Sequence, residues 1–141
     1  MGTDVICLVE TKDESGWTKS GEMDINRSYS LFAVIGGVRI SSTFFHESNI
    51  ALPYFPLRGL PDDSPNKDYF SYDTYNQSWI TLEELNNDTL RKLHKEMIHN
   101  DIDEDQANYL IHRLIKIRFD MKKYKEEYKT DDVRIVFGFD C

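Results

Sequence analysis

The chain has 141 residues, 40% of them hydrophobic and 30% charged, with a formal net charge of −8 and a pI of about 4.9. That leaves room for one hydrophobic core, in a balance typical of folded soluble chains and not of disordered ones. The acidic total disfavours duplex nucleic acid as a partner, because basic patches that neutralise phosphates supply most of such affinity.

The longest apolar stretch, Leu31 to Val38, falls far short of the ~20 residues that span a membrane. The N-terminus has no cationic region and carries Asp4 inside its apolar run, so no secretory signal is expected. Gly2 is no myristoylation site either, because Ile6 stands where that motif wants Ser or Thr. Cys7 and Cys141 lie near opposite ends, without zinc spacing, and meet only if the terminal strands pair. A cytoplasmic location with reduced thiols is the expectation.

In chain order, Asp4 to Glu10 predicts a strand with Val5, Cys7 and Val9 on one face and Ile6 and Leu8 on the other. Apolar residues on both faces imply an inner position in a sheet. Residues 12–16 read as a turn, and Trp17 begins a return strand. Ser28 caps a short buried helix over SYSLFAVIGG, which Gly36 and Gly37 stop. Residues 41–78 show no sustained period, yet hold all four prolines and many aromatics: Phe44, Phe45, Tyr54, Phe55, Tyr69, Phe70, Tyr72 and Tyr75. Such a load marks a functional loop, not a solvated linker.

The segment SWITLEELNN predicts a helix opened by a Thr81/Glu84 capping box. A second helical stretch over 89–100 puts Leu90, Leu93 and Met97 on one side. A third, longer helix begins near Asp103, paired with Gln106. Its apolar seam runs Ala107, Leu110, Leu114, Ile117, Met121, Tyr124 and Tyr128 in alternating steps of three and four. So narrow a seam suits another helix better than a sheet. The partner is either the preceding helix or a second copy of the chain, which would make a homo-oligomer.

The chain closes on VRIVFGF, an alternating strand with Val133, Ile135, Phe137 and Phe139 on one face. The whole reads as one α+β domain over 1–141. A small, mostly antiparallel sheet includes both terminal strands and is covered by helices, with a long C-terminal helical hairpin. Residues 1–40 supply a strand hairpin and the short helix, 41–80 the aromatic loop region, 81–130 the helices and 131–141 the last strand.

Metal and nucleophile signals are weak. Asp101 to Asp105 imitates an EF-hand opening, but Gln106 and His112 stand where Gly and Glu are required. His46, His94, His99 and His112 lack ligand spacing, no Gly-x-Ser-x-Gly occurs, and neither cysteine has a nearby histidine. No catalytic residue, metal or cofactor is therefore assigned. A carboxylate pair of Asp4 or Glu10 with Asp62 is the acid–base candidate.

Anion binding rests on arginine, whose fork grips phosphate and whose plane stacks on rings. In LRGLPDDSP, residues 57–65, Gly59 permits a positive-φ turn and Pro61 fixes its exit. Arg58 is then either offered to a ligand or paired with Asp62 or Asp63 to pin the loop. In the ligand reading Arg27 and Arg58 neutralise phosphates, and Tyr29, Tyr54, Phe55 or Trp79 stacks a base. Asp62 or Ser78 accepts from ribose or base edges, while Gly59 lets backbone approach.

The segments MGTDVICLVE, RSYSLFAVIGGVR, PLRGLPDD, QSWITLEEL and VRIVFGFD resemble, in this order, a group of small uncharacterised phage and prophage proteins. Those read MGCDIH, RNYDLFAILANVR, EPRGLPDD, HSWLTLxEL and VRIVFWFD. The likeness is weakest over 86–130. Thr3 to Ile6 replaces Cys-Asp-Ile-His and Gln77 replaces a histidine, so a metal site built on those histidines would be missing here. Arg27, Arg58, Gly59, Asp62, Ser78 and Trp79 remain. The resemblance implies a phage setting and no mechanism. The expectation is a phage-encoded binding protein that sequesters a nucleotide-derived ligand, a host anti-phage immune signal among the candidates. The alternatives are a hydrolase or phosphodiesterase acting on such a ligand, and an acidic protein–protein inhibitor of a host factor.

Overall fold

The computed structural model describes residues 2–70 and 73–140. In order, the chain forms β1 (Asp4–Asp13), β2 (Gly16–Glu22), α1 (Tyr29–Gly36), β3 (Tyr75–Thr81), α2 (Asn87–His99), α3 (Glu104–Tyr128) and β4 (Val133–Asp140). Single 3-10 turns occur at Ile40–Ser42 and Lys67–Tyr69. The strands make an antiparallel sheet in the order β2-β1-β4-β3. The terminal strands are its central pair, with Asp4 opposite Asp140 and Thr11 opposite Val133. This is the predicted α+β arrangement, and β1 takes the inner position that its two apolar faces require.

Helix ends follow local chemistry. Ser28 Oγ accepts the Leu31 N–H at 3.4 Å, and Gly37, at φ 69°, returns its N–H to Ala33 O at 2.9 Å. Asp103 caps α3 by accepting the Gln106 N–H.

The SWITLEELNN segment departs from expectation. Residues 75–81 are a strand, with Ser78 and Ile80 buried and Trp79 turned to the other face. The Thr81/Glu84 box does form: Glu84 N–H donates to Thr81 Oγ1 at 3.2 Å and Thr81 N–H to Glu84 Oε1 at 2.9 Å. It closes a turn, and α2 starts later, capped by Asn86 Oδ1 accepting from the Thr89 N–H at 2.8 Å. A reciprocal box satisfies a turn as well as a helix, so here the alternation of Ser78 and Ile80 was the truer signal.

One face of the sheet carries Cys7, Val9, Ile80, Val133, Ile135, Phe137 and Phe139 beneath the three helices. The α3 seam is buried from Ala107 through Met121, whereas Tyr124 is half-buried and Tyr128 exposed. It packs most on α2, as a hairpin should, and also on β4, β1 and α1. The expectation that the seam avoids a sheet is therefore corrected. Small Ala107 at one end and flexible Met121 at the other let the same stripe lie across mixed surfaces. From Ala107 to Met121 the seam is filled within the chain, which leaves Tyr124 and Tyr128 at its open end.

The opposite face bears Ile6, Leu8, Val136 and Trp79, and loop residues Leu60 and Phe70 close over it. The aromatic region thus serves both faces: Leu60 and Phe70 cover the second, while Phe44, Phe45, Tyr54 and Phe55 pack into the helix-covered core. Cys7 lies buried opposite Phe137, and burial pushes its thiol up, away from the reactive thiolate. Its pairing with Cys141, like any role of Tyr72, lies outside the described residues. No helix among them is long and apolar enough to cross a membrane.

Candidate functional site

The 57–65 turn is fastened to the edge of the sheet by Ser78. Its Oγ donates to Pro56 O at 3.1 Å and accepts the Arg58 N–H at 2.9 Å. Ser78 is fully buried, so it positions the loop and offers nothing to a ligand. Gly59 has φ 73° with open space where a Cβ would sit, so the backbone angle alone requires glycine there. Arg58 then folds back over Trp79, its guanidinium carbon 3.7 Å from the ring centroid, and donates to Trp79 O and to Glu84 Oε1 at 2.7 Å.

A second arginine shares the same indole. Arg134 and Glu10 are cross-strand partners on β4 and β1, on the loop-covered face, 3% and 0% exposed. Arg134 Nε donates to Glu10 Oε1 at 2.8 Å and its Nη2 to Asp63 Oδ1 at 3.0 Å. Ser64 Oγ and Asn66 Nδ2 donate to Glu10 Oε2 at 2.6 and 2.7 Å. The guanidinium of Arg134 lies 3.8 Å from the Trp17 ring centroid and 5.6 Å from that of Trp79. Trp17, Arg134, Trp79 and Arg58 thus alternate ring and cation across the outer face of the sheet.

Beside this row opens a cleft of about 410 Å³, lined by Arg58, Leu60, Pro61, Asp62, Trp79 and Arg134, with Asp63 at its edge. Three of the predicted site side chains, Arg58, Asp62 and Trp79, come together here, and Gly59 shapes the turn beside them. The others do not join them. Arg27 is held bidentately by Asp4 at 3.0 and 2.9 Å, roughly 20 Å along β1 from Glu10 at the usual strand rise. Tyr29 stands at the start of α1 with Arg39 over its ring. Phe55 is buried in the core. Tyr54 lines a neighbouring cleft of about 420 Å³, behind the Arg58–Glu84 pair.

Two predicted pairings are corrected as well. Arg58 is held by Glu84, not by Asp62 or Asp63, because Ser78 and Trp79 aim its side chain away from its own turn. Asp63 goes instead to Arg134. The acid–base pair of Asp4 or Glu10 with Asp62 does not assemble, since Asp4 holds Arg27 and Glu10 is sealed under Ser64 and Asn66. Among the described residues no group of three or more His, Cys, Asp or Glu converges as metal ligands would.

Arg134 and Trp17 were missed as contributors, and Glu10 was singled out only as an acid–base candidate. A signal for the pair was present: opposite charges in the two apolar terminal strands.

Charge in the cleft is balanced by the protein itself. Burial pushes the Glu84 carboxyl up, but the Arg58 guanidinium and two Thr81 donors outweigh it, so Glu84 sits below the usual carboxylate range. Asp63 behaves alike, with burial outweighed by Arg134. A depressed folded-state value gives stability that is complete above the unfolded value and lost as pH falls through the folded one. Acidification below the usual carboxylate range should therefore loosen the 57–65 loop. In Arg58→Met the Glu84 titration should move upward, since burial remains while its opposing cation is gone. Side-chain carboxyl NMR across an acid titration reads both, and an unchanged Glu84 midpoint would show that Arg58 does not hold it.

No family model, curated protein or solved structure matches this chain. The site is accordingly read from its own geometry.

Proposed function

We propose that the chain is a small cytoplasmic binding protein of phage type that captures a nucleotide-derived ligand in the Arg58–Trp79 cleft. One observation carries the reading: a guanidinium stacked 3.7 Å over an indole, at the wall of an open cleft whose lining includes Asp62. A base lies against this wall, Asp62 accepts from its amino group or from ribose, and the arginines meet phosphate. Among the described residues Arg58 Nε is buried without a hydrogen-bond partner, and both bonds of the guanidinium leave from Nη2.

Glu10, Asp63 and Glu84 already oppose the two arginines, so a ligand with few phosphodiester charges fits better than a triphosphate. The phage setting comes from the five resembling segments, and a host immune signal is accordingly among the candidate ligands. In this reading the protein acts by sequestration, without converting what it holds.

The test is to incubate purified protein with cyclic mono- and dinucleotides, remove the unbound fraction and release the remainder by heat. Intact ligand is the expected recovery. A cleaved product would assign a hydrolase or phosphodiesterase instead. Absence of any nucleotide thermal shift, with a host protein tightly bound, would assign a protein-directed inhibitor.

A further inference from the structure

A separate cleft of about 450 Å³ lies where the starts of α1 and α3 meet the loop after the first 3-10 turn. Tyr29, Phe44 and Tyr109 supply three ring walls, and each ring is fixed from behind. Tyr29 Oη accepts the Thr3 N–H at 3.3 Å and its ring carries the Arg39 guanidinium at 5.1 Å. Phe44 packs on Phe45 with centroids 4.6 Å apart. Tyr109, 49% exposed, accepts from Arg113 Nη1 at 3.0 Å, and Arg113 is itself anchored on Asn26 O. Rings already held in place lose little freedom when a ligand arrives.

The polar lining divides into engaged and available groups. Thr43 Oγ1 donates to Ile40 O at 2.7 Å and accepts the Phe45 N–H at 3.1 Å, while Ser30 Oγ lies 3.2 Å from Ser28 Oγ. The side chains of Ser42, Asp105 and Gln106 make no hydrogen bond or ion pair with the described residues. They line the same cleft as the rings. None of the lining residues is cationic, so an anion would meet Asp105 unopposed, and the helix starts are already capped by Ser28 and Asp103.

Fixed rings beside an unengaged hydroxyl, amide and carboxylate match a ligand with an apolar face and a rim of hydroxyls. We propose that this cleft binds an uncharged sugar ring. One C–H face of the pyranose rests on Tyr109 or Phe44, and Gln106 and Asp105 bond adjacent hydroxyls through their paired polar atoms. This site is independent of the nucleotide reading and survives its failure.

Titration of ¹⁵N-labelled protein with maltotriose and with chitotriose tests it, alongside saturation transfer to the sugar ring protons. Amide shifts should be confined to residues 42–44 and 105–109, with saturation transfer to at least one of the two sugars. Tyr109→Ala and Gln106→Ala should each weaken that binding at least tenfold, whereas Arg58→Ala should leave it unchanged. Both altered side chains are exposed, and Gln106 serves the α3 cap only through its backbone N–H, so the fold is retained. Lack of saturation transfer to both sugars at millimolar concentration overturns the proposal. So do shifts centred on the Arg58 cleft, or binding that is unchanged in both cleft variants.

Discussion

Glu10→Ala should lower the unfolding free energy by about 3–5 kcal/mol, the usual cost of stranding one member of a buried ion pair. Arg134 is 3% exposed, and Glu10 takes its Nε together with the side chains of Ser64 and Asn66. Alanine would leave Arg134 Nε unpaired in a place that water barely reaches, with the exposed Asp63 as its remaining carboxylate, and would cut two ties between the loop and the sheet. The paired change Glu10→Leu with Arg134→Met should recover most of the loss. The same face already carries Leu8 and Val136, and apolar side chains often replace a buried ion pair without penalty. Urea unfolding of the single and double variants measures the difference. A cost below about 1 kcal/mol for Glu10→Ala would mean that Arg134 is satisfied elsewhere, and the network would lose its structural role.

Arg58→Ala should abolish nucleotide capture, and Arg58→Lys should weaken it severely although the charge survives. Lysine keeps a cation but gives up the plane that lies on Trp79. Loss of one base-stacking contact is worth about 1–3 kcal/mol, or about five- to 150-fold in affinity. Calorimetric titration of a captured ligand against both variants separates charge from geometry. Thermal melts run in parallel show whether the loop has come away from Glu84. Should Arg58→Ala bind as the parent does while Tyr54→Ala fails, the ligand occupies the neighbouring cleft instead.

Much of the architecture was legible because period and caps act locally. The alternation of Val133, Ile135, Phe137 and Phe139 marked a strand, and Ser28 with Gly37 bracketed α1. Local rules failed at Thr81 and Glu84, whose reciprocal bonds hold a turn leaving β3 as readily as one opening a helix. The candidate site was legible only in part. Arg58, Asp62 and Trp79 were found because a glycine–proline turn and an indole stood out within some twenty positions. Arg134 was not, and Glu10 was singled out only as an acid–base carboxylate, since their shared meaning depends on cross-strand pairing between β1 and β4. Arg27 looked equivalent to Arg58 in composition, but Asp4, a residue of another strand, claims it.

The central pair of the sheet joins positions as far as 136 residues apart, Asp4 with Asp140. During synthesis β1 therefore has only β2 beside it until the closing strand leaves the ribosome. Through that interval its other edge, greasy on both sides, is a template for wrong partners. Productive collapse must wait for a contact of high sequence separation, whose closure entropy slows the search. Fast translation and a reserve of chaperones would suit such a chain best.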